Sequence, residues 1–186
     1  MLQDKMLQEL NQQIQEETYS AYIYHAMAAW LEENGYKGFA TWMRVQAREE
    51  KIHADIFYNY ITERQGKVEL QAIQQPPSEW ESPLSVFKAA YAHELHITGR
   101  INHMVAVARE LNDNASERML HWFVDEQVEE EANSSEAVQQ LGIAGDQANA
   151  VLMLDREMGT RTFVVPASAP YYPKPGQPGS VAGTAA

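Results

Sequence analysis

The sequence contains no cysteine, and this absence excludes disulfide bonds, thiolate metal sites and cysteine catalysis. Basic residues are also scarce, because 14 lysines and arginines stand against 26 aspartates and glutamates, for a net charge of −12. Nucleic acids and anionic membranes attract basic patches, so neither is an expected partner. No apolar run is long enough to span a bilayer, and the opening residues MLQDKMLQELNQQIQEE lack the apolar core of a signal peptide. We therefore expect a cytoplasmic protein.

Helical periodicity dominates the rest of the chain. Apolar residues recur at roughly 3.6-residue intervals in four long segments, which predicts α-helices. The predicted spans are 3–33, 38–65, 84–111 and 116–141, followed by a short fifth helix over roughly 146–158. Ser82 and Pro83 have the residue types of a helix start. Gly66 is predicted to end the second helix, and Gly142 and Gly145 the fourth.

The connections between these helices predict the architecture. Short connections favour antiparallel neighbours, whereas residues 67–83 contain three prolines and lack a helical period. A stretch of this length is expected to run along the bundle and pack on it, which leaves the second and third helices parallel. The predicted fold is all-α: a four-helix bundle with one long crossover between helices 2 and 3, plus a short fifth helix.

The C-terminal region differs from the rest in composition. We expect a helical domain over residues 1–158 and a separate proline- and glycine-rich tail over 159–186. Residues 166–186 contain five of the eight prolines and a single charge, Lys174. Composition favours a flexible tail, but Tyr171 and Tyr172 between prolines leave a docking segment as the alternative.

Polar residues interrupt the apolar stripe near the middle of each long helix. They are Glu17 on the first, Glu50 and His53 on the second, Glu94 on the third, and Gln127 and Glu130 on the fourth. Any one of them alone would more often belong to a partly solvated helix face. Packing the helices with their centres aligned would gather all of them in the core, where several carboxylates without a cation are very costly. No lysine or arginine lies on these stripes near the cluster, so the pattern predicts a bound metal.

The predicted ligands indicate which metal. Carboxylates with one imidazole and no sulfur suit iron, manganese or zinc. The number of carboxylates suits two divalent ions. Glu50 is the natural bridge, because it shares a turn with His53 while Glu17 and Glu94 approach from neighbouring helices. A pair of Fe²⁺ ions can supply two electrons to one oxygen molecule.

At these residues the chain resembles the haem-free bacterial ferritins. The resemblance covers residues 1–158 and rests on QEETYSAYIYH (15–25), AREEKIHADIFYNYI (47–61), AYAHELHITGRIN (90–102) and LHWFVDEQVEEE (120–131). Bacterioferritins instead have a second Glu-x-x-His where this chain has Gln127 to Glu130, and a haem-binding methionine where it has Ile52. No haem is therefore expected. Residues 132–136, ANSSE, are unusually polar for this helix and depart from the family pattern.

The resemblance implies roles for individual residues. Glu17 and His53 would hold a first iron, Glu94 a second, and Glu50 would bridge the two. Gln127 would lie beside the oxygen-binding side, and Glu130 would bind the second iron or link it to a third. A third iron site would use Glu49, Glu126, Glu129 and Glu130, with a solvated acidic face as the alternative. Tyr24 would hydrogen-bond near the centre and donate an electron, unless it is only a core tyrosine; Trp122 would lie near the centre or serve packing.

The resemblance also implies the function. The expected protein is an iron-storage ferroxidase that oxidises Fe²⁺ with O₂ or H₂O₂ and stores ferric mineral inside a hollow shell of 24 identical subunits, with the fifth helix at the fourfold axis. The alternative from a different class is a non-catalytic structural or adaptor bundle with a metal-free polar cluster. Oxidation of an organic substrate would require a substrate pocket, of which the sequence gives no sign.

Overall fold

The computed structural model describes residues 2–173, and helices are the only regular secondary structure in that range. They are α1 (Asp4–Glu33), α2 (Lys37–Glu63), α3 (Pro83–Glu110), α4 (Asn114–Ala144) and α5 (Ala148–Met158). The predicted helix ends differ from these by a few residues. The largest difference is at α4, which continues through Gly142 and ends at Gly145, where φ is +52°. No described helix is long and apolar enough to cross a membrane.

The starts of α3 and α4 are fixed by side-chain caps. Ser82 and Ser85 exchange hydrogen bonds, since the Ser82 hydroxyl accepts from the Ser85 N–H at 3.2 Å and the Ser85 hydroxyl accepts from the Ser82 N–H at 3.0 Å. Pro83 follows at the first helical position, where no N–H partner is needed. At α4 the Asp113 carboxylate accepts from the Ser116 N–H at 3.2 Å. These caps satisfy N–H groups that the first turn of a helix leaves without partners.

Contacts between helices establish the crossover topology. Lys5, at the start of α1, bonds Glu110 at the end of α3, 2.6 Å away. Phe57 near the end of α2 stacks on Phe123 in the first half of α4, with ring centroids 4.2 Å apart. Arg44 near the start of α2 pairs with Glu32 near the end of α1. Helices α2 and α3 are therefore both antiparallel to α1 and parallel to each other, which confirms the predicted bundle with one crossover.

The crossover, residues 64–82, runs along α1 as predicted. Near its start, the Asn11 side chain donates to the Lys67 carbonyl at 3.1 Å and accepts from the Glu69 N–H at 2.7 Å. Near its end, the Trp80 ring meets the edge of Trp30, with centroids 6.2 Å apart. The connection thus follows α1 across much of its length, and its backbone finds partners there.

The core consists of two apolar clusters, one toward each end of the bundle. One includes Leu10, Phe57 and Phe123, and the other includes Met27 and Phe39. On each long helix, the polar residues that interrupt the apolar stripe lie near the point where the two clusters meet. Residues 132–136 are part of α4, and Ser134 among them is buried, with its hydroxyl donating to the Glu130 carbonyl at 2.7 Å.

Helix α5 packs against the start of α2 through a close backbone approach. The buried Asp155 carboxylate accepts from the Phe39 N–H at 2.8 Å. A Cβ at Gly38 would lie 1.6 Å from the Asp155 carbonyl oxygen, so only glycine fits there. This contact fixes where the chain emerges from α5.

Residues 160–173 lie along the groove between α2 and α4, and we call them the C-terminal strap. Asn59 of α2 donates to the Tyr171 carbonyl at 2.9 Å, and the Trp122 indole of α4 donates to the Ser168 hydroxyl at 3.3 Å. The described part of the tail thus contacts its own bundle through polar and apolar groups, as in the docking alternative. The predictions for Lys174 and for residues 174–186 lie outside the described residues.

Candidate metal centre

The six polar residues predicted from the four stripes are all buried in the middle of the bundle. Their exposed fractions are 0% for Glu17, 2% for Glu50, 3% for His53, 2% for Glu94, 3% for Gln127 and 5% for Glu130. Each lies on the inward face of its helix because residues three and four apart share a face with the apolar stripe. The burial of so many ionisable groups defines a candidate functional centre.

Glu17, Glu50 and His53 form its most compact part. Each offers a ligand atom within 4.8 Å of the others. The His53 Nδ1 lies 3.3 Å from Glu50 Oε2. The structure thus brings together, from α1 and α2, a carboxylate–imidazole set with the donor chemistry that divalent iron, manganese and zinc accept.

One oxygen in this set has no hydrogen-bond partner. The Gln13 amide donates to Glu17 Oε1 at 2.9 Å, whereas the buried Glu17 Oε2 has no partner in the described structure. A buried carboxylate oxygen without a partner is strongly destabilising unless a cation or proton meets it. The residues present therefore fit a metal ion at this position.

Glu94 has hydrogen-bond partners of its own. The Tyr24 hydroxyl donates to Glu94 Oε1, and the Gln127 amide nitrogen lies 3.3 Å from Glu94 Oε2. The same amide nitrogen is 3.3 Å from the Thr98 hydroxyl. Glu94 is not among the three residues whose ligand atoms cluster within 4.8 Å in the described chain.

The four residues expected at a third site differ in exposure. Glu130 is buried, Glu49 and Glu126 are partly buried, and Glu129 is exposed. Their ligand atoms do not form a group of the kind found at Glu17, within the part of the chain that the structure describes. A guanidinium group instead occupies the space beside Glu49, since Arg161 of the strap pairs with Glu49 Oε2 at 2.5 Å.

Burial and mutual repulsion control the charges of these groups. Burial, followed by the Glu50 charge, raises the pKa of Glu17 to about 8, and the same two causes raise the pKa of Glu130 to about 8. Burial and then Glu50 also hold the pKa of Glu94 well above its usual range. Without a cation, Glu17 and Glu130 therefore retain protons near neutral pH.

The Glu50–His53 pair behaves in the opposite way. Burial acts to raise the pKa of Glu50, but the hydrogen bonds and charge of His53 and the Gln46 amide outweigh burial and lower it. Burial also opposes imidazolium formation, yet Glu50, Glu17 and Glu130 outweigh it and raise the pKa of His53 to about 10. In the metal-free centre the pair thus favours an ionised Glu50 and a protonated His53, whereas burial favours the neutral forms of Glu17 and Glu130.

Three contributing residues were not singled out from the sequence. Gln13 lies four residues before Glu17 and Gln46 four residues before Glu50, and each amide donates to the glutamate one turn on. This repeated glutamine spacing was readable in advance. Arg161 was not, because no pattern in the tail indicates which part of the bundle it meets. Trp122 does lie beside the centre, with its ring centroid 5.7 Å from that of His53.

A crossover four-helix bundle with inward glutamates and a histidine at its midpoint is the arrangement of the ferritin-like carboxylate proteins. The sequence profile of the ferritin-like domain matches residues 7–143. The chain therefore belongs to the ferritin-like family.

Individual relatives agree with this assignment. The chain is 39% identical over 163 residues to a bacterial non-heme ferritin of Staphylococcus aureus (strain MRSA252), a match that covers 88% of this chain and 98% of the relative. It is 36% identical over 163 residues to that of Staphylococcus haemolyticus, with the same coverage. Among solved structures, an open-pore ferritin from the archaeon Archaeoglobus fulgidus superimposes with a TM-score of 0.86 at 44% identity, covering 87% of this chain and all of that one.

Proposed function

We propose that this protein stores iron and oxidises Fe²⁺ to Fe³⁺ at a di-iron centre in the middle of its bundle. The observation that carries the proposal is the partnerless Glu17 Oε2, buried beside Glu50 and His53. A metal-free hydrogen-bonded network, as in a structural bundle, would satisfy that oxygen. Similarity to bacterial non-heme ferritins supports iron as the metal.

The proposed ligands divide between two Fe²⁺ ions, which are the substrate. Glu17 and His53 hold one ion, Glu94 holds the other, and Glu50 bridges them. Glu130, joined to Glu50 through the Gln46 amide at 2.7 Å and 3.0 Å, binds the second ion or passes iron outward. The Gln127 amide, 3.3 Å from Glu94 Oε2, orients that carboxylate and lies beside the side where oxidant approaches.

Two Fe²⁺ ions at this centre balance a two-electron oxidation. Two Fe²⁺ become two Fe³⁺, while one O₂ takes up two electrons and two protons to give H₂O₂, or one H₂O₂ takes up the same to give two waters. The Tyr24 hydroxyl donates to Glu94, the proposed ligand of the second ion. Carboxyl groups that are protonated in the metal-free centre must lose those protons when iron binds.

Storage requires a compartment that one chain does not provide. We propose a cytoplasmic homo-oligomer, a hollow shell of 24 copies, in which the helical unit of residues 1–158 builds the wall and α5 lies at the fourfold axis. The excess of 26 acidic over 14 basic residues suits a protein that attracts Fe²⁺ and nucleates ferric mineral. Similarity to bacterial and archaeal ferritins supports the oligomer.

Stopped-flow measurement of Fe²⁺ oxidation tests the centre directly. Glu50→Ala and His53→Ala remove the bridge and the imidazole ligand, so each should abolish the fast phase while leaving the particle mass unchanged in size-exclusion light scattering. Glu33→Ala, at an exposed position of α1, is the matched control and should oxidise iron normally. Rapid oxidation retained in both centre variants would refute the site.

A further inference from the structure

The strap runs beside the candidate centre. Its residues follow α2 from Gln46 to Tyr60, beginning with the Arg161–Gln46 contact and ending where the Tyr171 ring meets the edge of Tyr60, 5.0 Å away between centroids. Arg48 of α2 lies over the Phe163 ring, 5.9 Å from its centroid. The strap thus covers the α2–α4 groove. In sequence it follows residues 7–143, the region that matches the ferritin-like domain.

Arg161 makes the contacts that fix the start of the strap to the centre. Its guanidinium donates to Gln46 Oε1 at 2.8 Å and to Glu49 Oε2 at 2.5 Å, and it lies over the Trp42 ring, 4.5 Å from the centroid. The Arg161 and Glu49 side chains are only 20% and 18% exposed. A partly buried cation held by a carboxylate, an amide and an aromatic face is well positioned and weakly screened by solvent.

Gln46 connects this guanidinium to the centre. It is fully buried, and while its oxygen accepts from Arg161, its nitrogen donates to Glu50 Oε1 at 3.0 Å and to Glu130 Oε2 at 2.7 Å. One amide therefore joins the strap to two proposed metal ligands. Divalent ions bound to Glu50 and Glu130 would compete for the oxygens that orient Gln46, and they would repel Arg161.

We propose that the strap is a closing segment of the centre and that Arg161 is its internal cation, displaced when divalent ions occupy the centre. The proposal rests on the proposed function only in requiring that divalent ions bind there. The expected coupling is reciprocal: if bound ions weaken the Arg161 contacts, then the Arg161 contacts must weaken ion binding by the same factor. The strap therefore lowers the affinity of the empty centre for divalent ions. Once the ions are bound, the strap moves away from the α2–α4 groove.

The experiment uses Zn²⁺, a redox-inert divalent ion, and a single spin label on the strap. Because the chain has no cysteine, Val164→Cys, at a position 67% exposed, gives one nitroxide site without disturbing a buried contact. Zn²⁺ binding is followed by calorimetry and strap mobility by electron paramagnetic resonance, on the full-length protein in its native oligomer. Arg161→Gln is the test variant. Arg156→Gln, which removes the same charge from an exposed position of α5, is its matched control.

The wild-type strap should be immobile without Zn²⁺ and become mobile as the centre fills. In Arg161→Gln the strap should be mobile from the start, and Zn²⁺ should bind roughly tenfold more tightly, about 1.4 kcal/mol. Arg156→Gln should behave as wild type. Zn²⁺ binding with an unchanged nitroxide spectrum, or an unchanged affinity in Arg161→Gln, would overturn the proposal. Absence of Zn²⁺ binding in wild type would instead count against the proposed function.

Discussion

Replacing Glu17 with glutamine should stabilise the metal-free protein while destroying its response to metal. Burial and the Glu50 charge raise the pKa of Glu17 from 4.5 to about 8, so at pH 7 folding must protonate a carboxylate that is ionised in the unfolded chain. The gap between 4.5 and pH 7 is about 2.5 pH units, which costs about 3 kcal/mol at about 1.4 kcal/mol per unit. Glutamine avoids this cost because it is neutral, and its amide can place a donor where the partnerless Oε2 now lies.

The assay is thermal unfolding of metal-free protein at several pH values. A gain of 2–3 kcal/mol should raise the melting temperature by roughly 5–10 °C at pH 7 for a domain of this size. Because a raised carboxyl pKa makes stability fall as pH rises from 4.5 toward 8, the advantage of Glu17→Gln should shrink as the pH is lowered to 5. Glu33→Gln, at an exposed position of the same helix, should change the melting temperature little. Adding Zn²⁺ should stabilise wild type much more than Glu17→Gln.

A metal-free Glu17→Gln protein that melts at or below the wild-type temperature at pH 7 would refute this reasoning. A rise in melting temperature that does not depend on pH would also refute it, because the predicted rise comes from the ionisation of Glu17. Full stabilisation of the variant by Zn²⁺ would show that Glu17 is not a ligand.

Three further predictions concern the centre and its support. Zn²⁺ binding at pH 7 should release protons, because the metal-free pKa values of Glu17 and Glu130 are about 8 and that of His53 is about 10. Titration calorimetry in buffers of different ionisation enthalpy measures the proton release, and binding heats that do not depend on the buffer would contradict it. Tyr24→Phe removes the donor to Glu94, so divalent affinity should fall roughly 10–100-fold, and an unchanged isotherm would show that this hydrogen bond does not support the ligand. Gly38→Ala would place a Cβ 1.6 Å from the Asp155 carbonyl oxygen, which should separate α5 from α2 and destabilise the protein by more than about 3 kcal/mol; a wild-type denaturation midpoint would count against that packing.

Helical periodicity explains why most of the fold could be predicted from the sequence. A helix places residues three and four apart on one face whatever its neighbours are, so the stripes and their polar interruptions identify the buried face before any packing is known. Helix ends were less accurate, as at Gly142, because glycine permits a break without requiring one when tertiary contacts hold the helix together. Helix α2 ends at Glu63, before the predicted stop at Gly66, and the left-handed residue after it is Gln65, with φ of +57°.

The sequence by itself determined the helices, their order and the residues that face the core, including Glu17, Glu50 and His53. These follow from helical periodicity, which is a local property of the sequence, and from the free-energy cost of burying charge, which applies to any protein. The tertiary structure decided which groups meet: Tyr24 with Glu94, Gln46 with both Glu50 and Glu130, and Arg161 with Glu49. It also decided that residues 160–173 dock, because a proline-rich composition describes the free chain, whereas docking depends on a groove that exists only once α2 and α4 have packed.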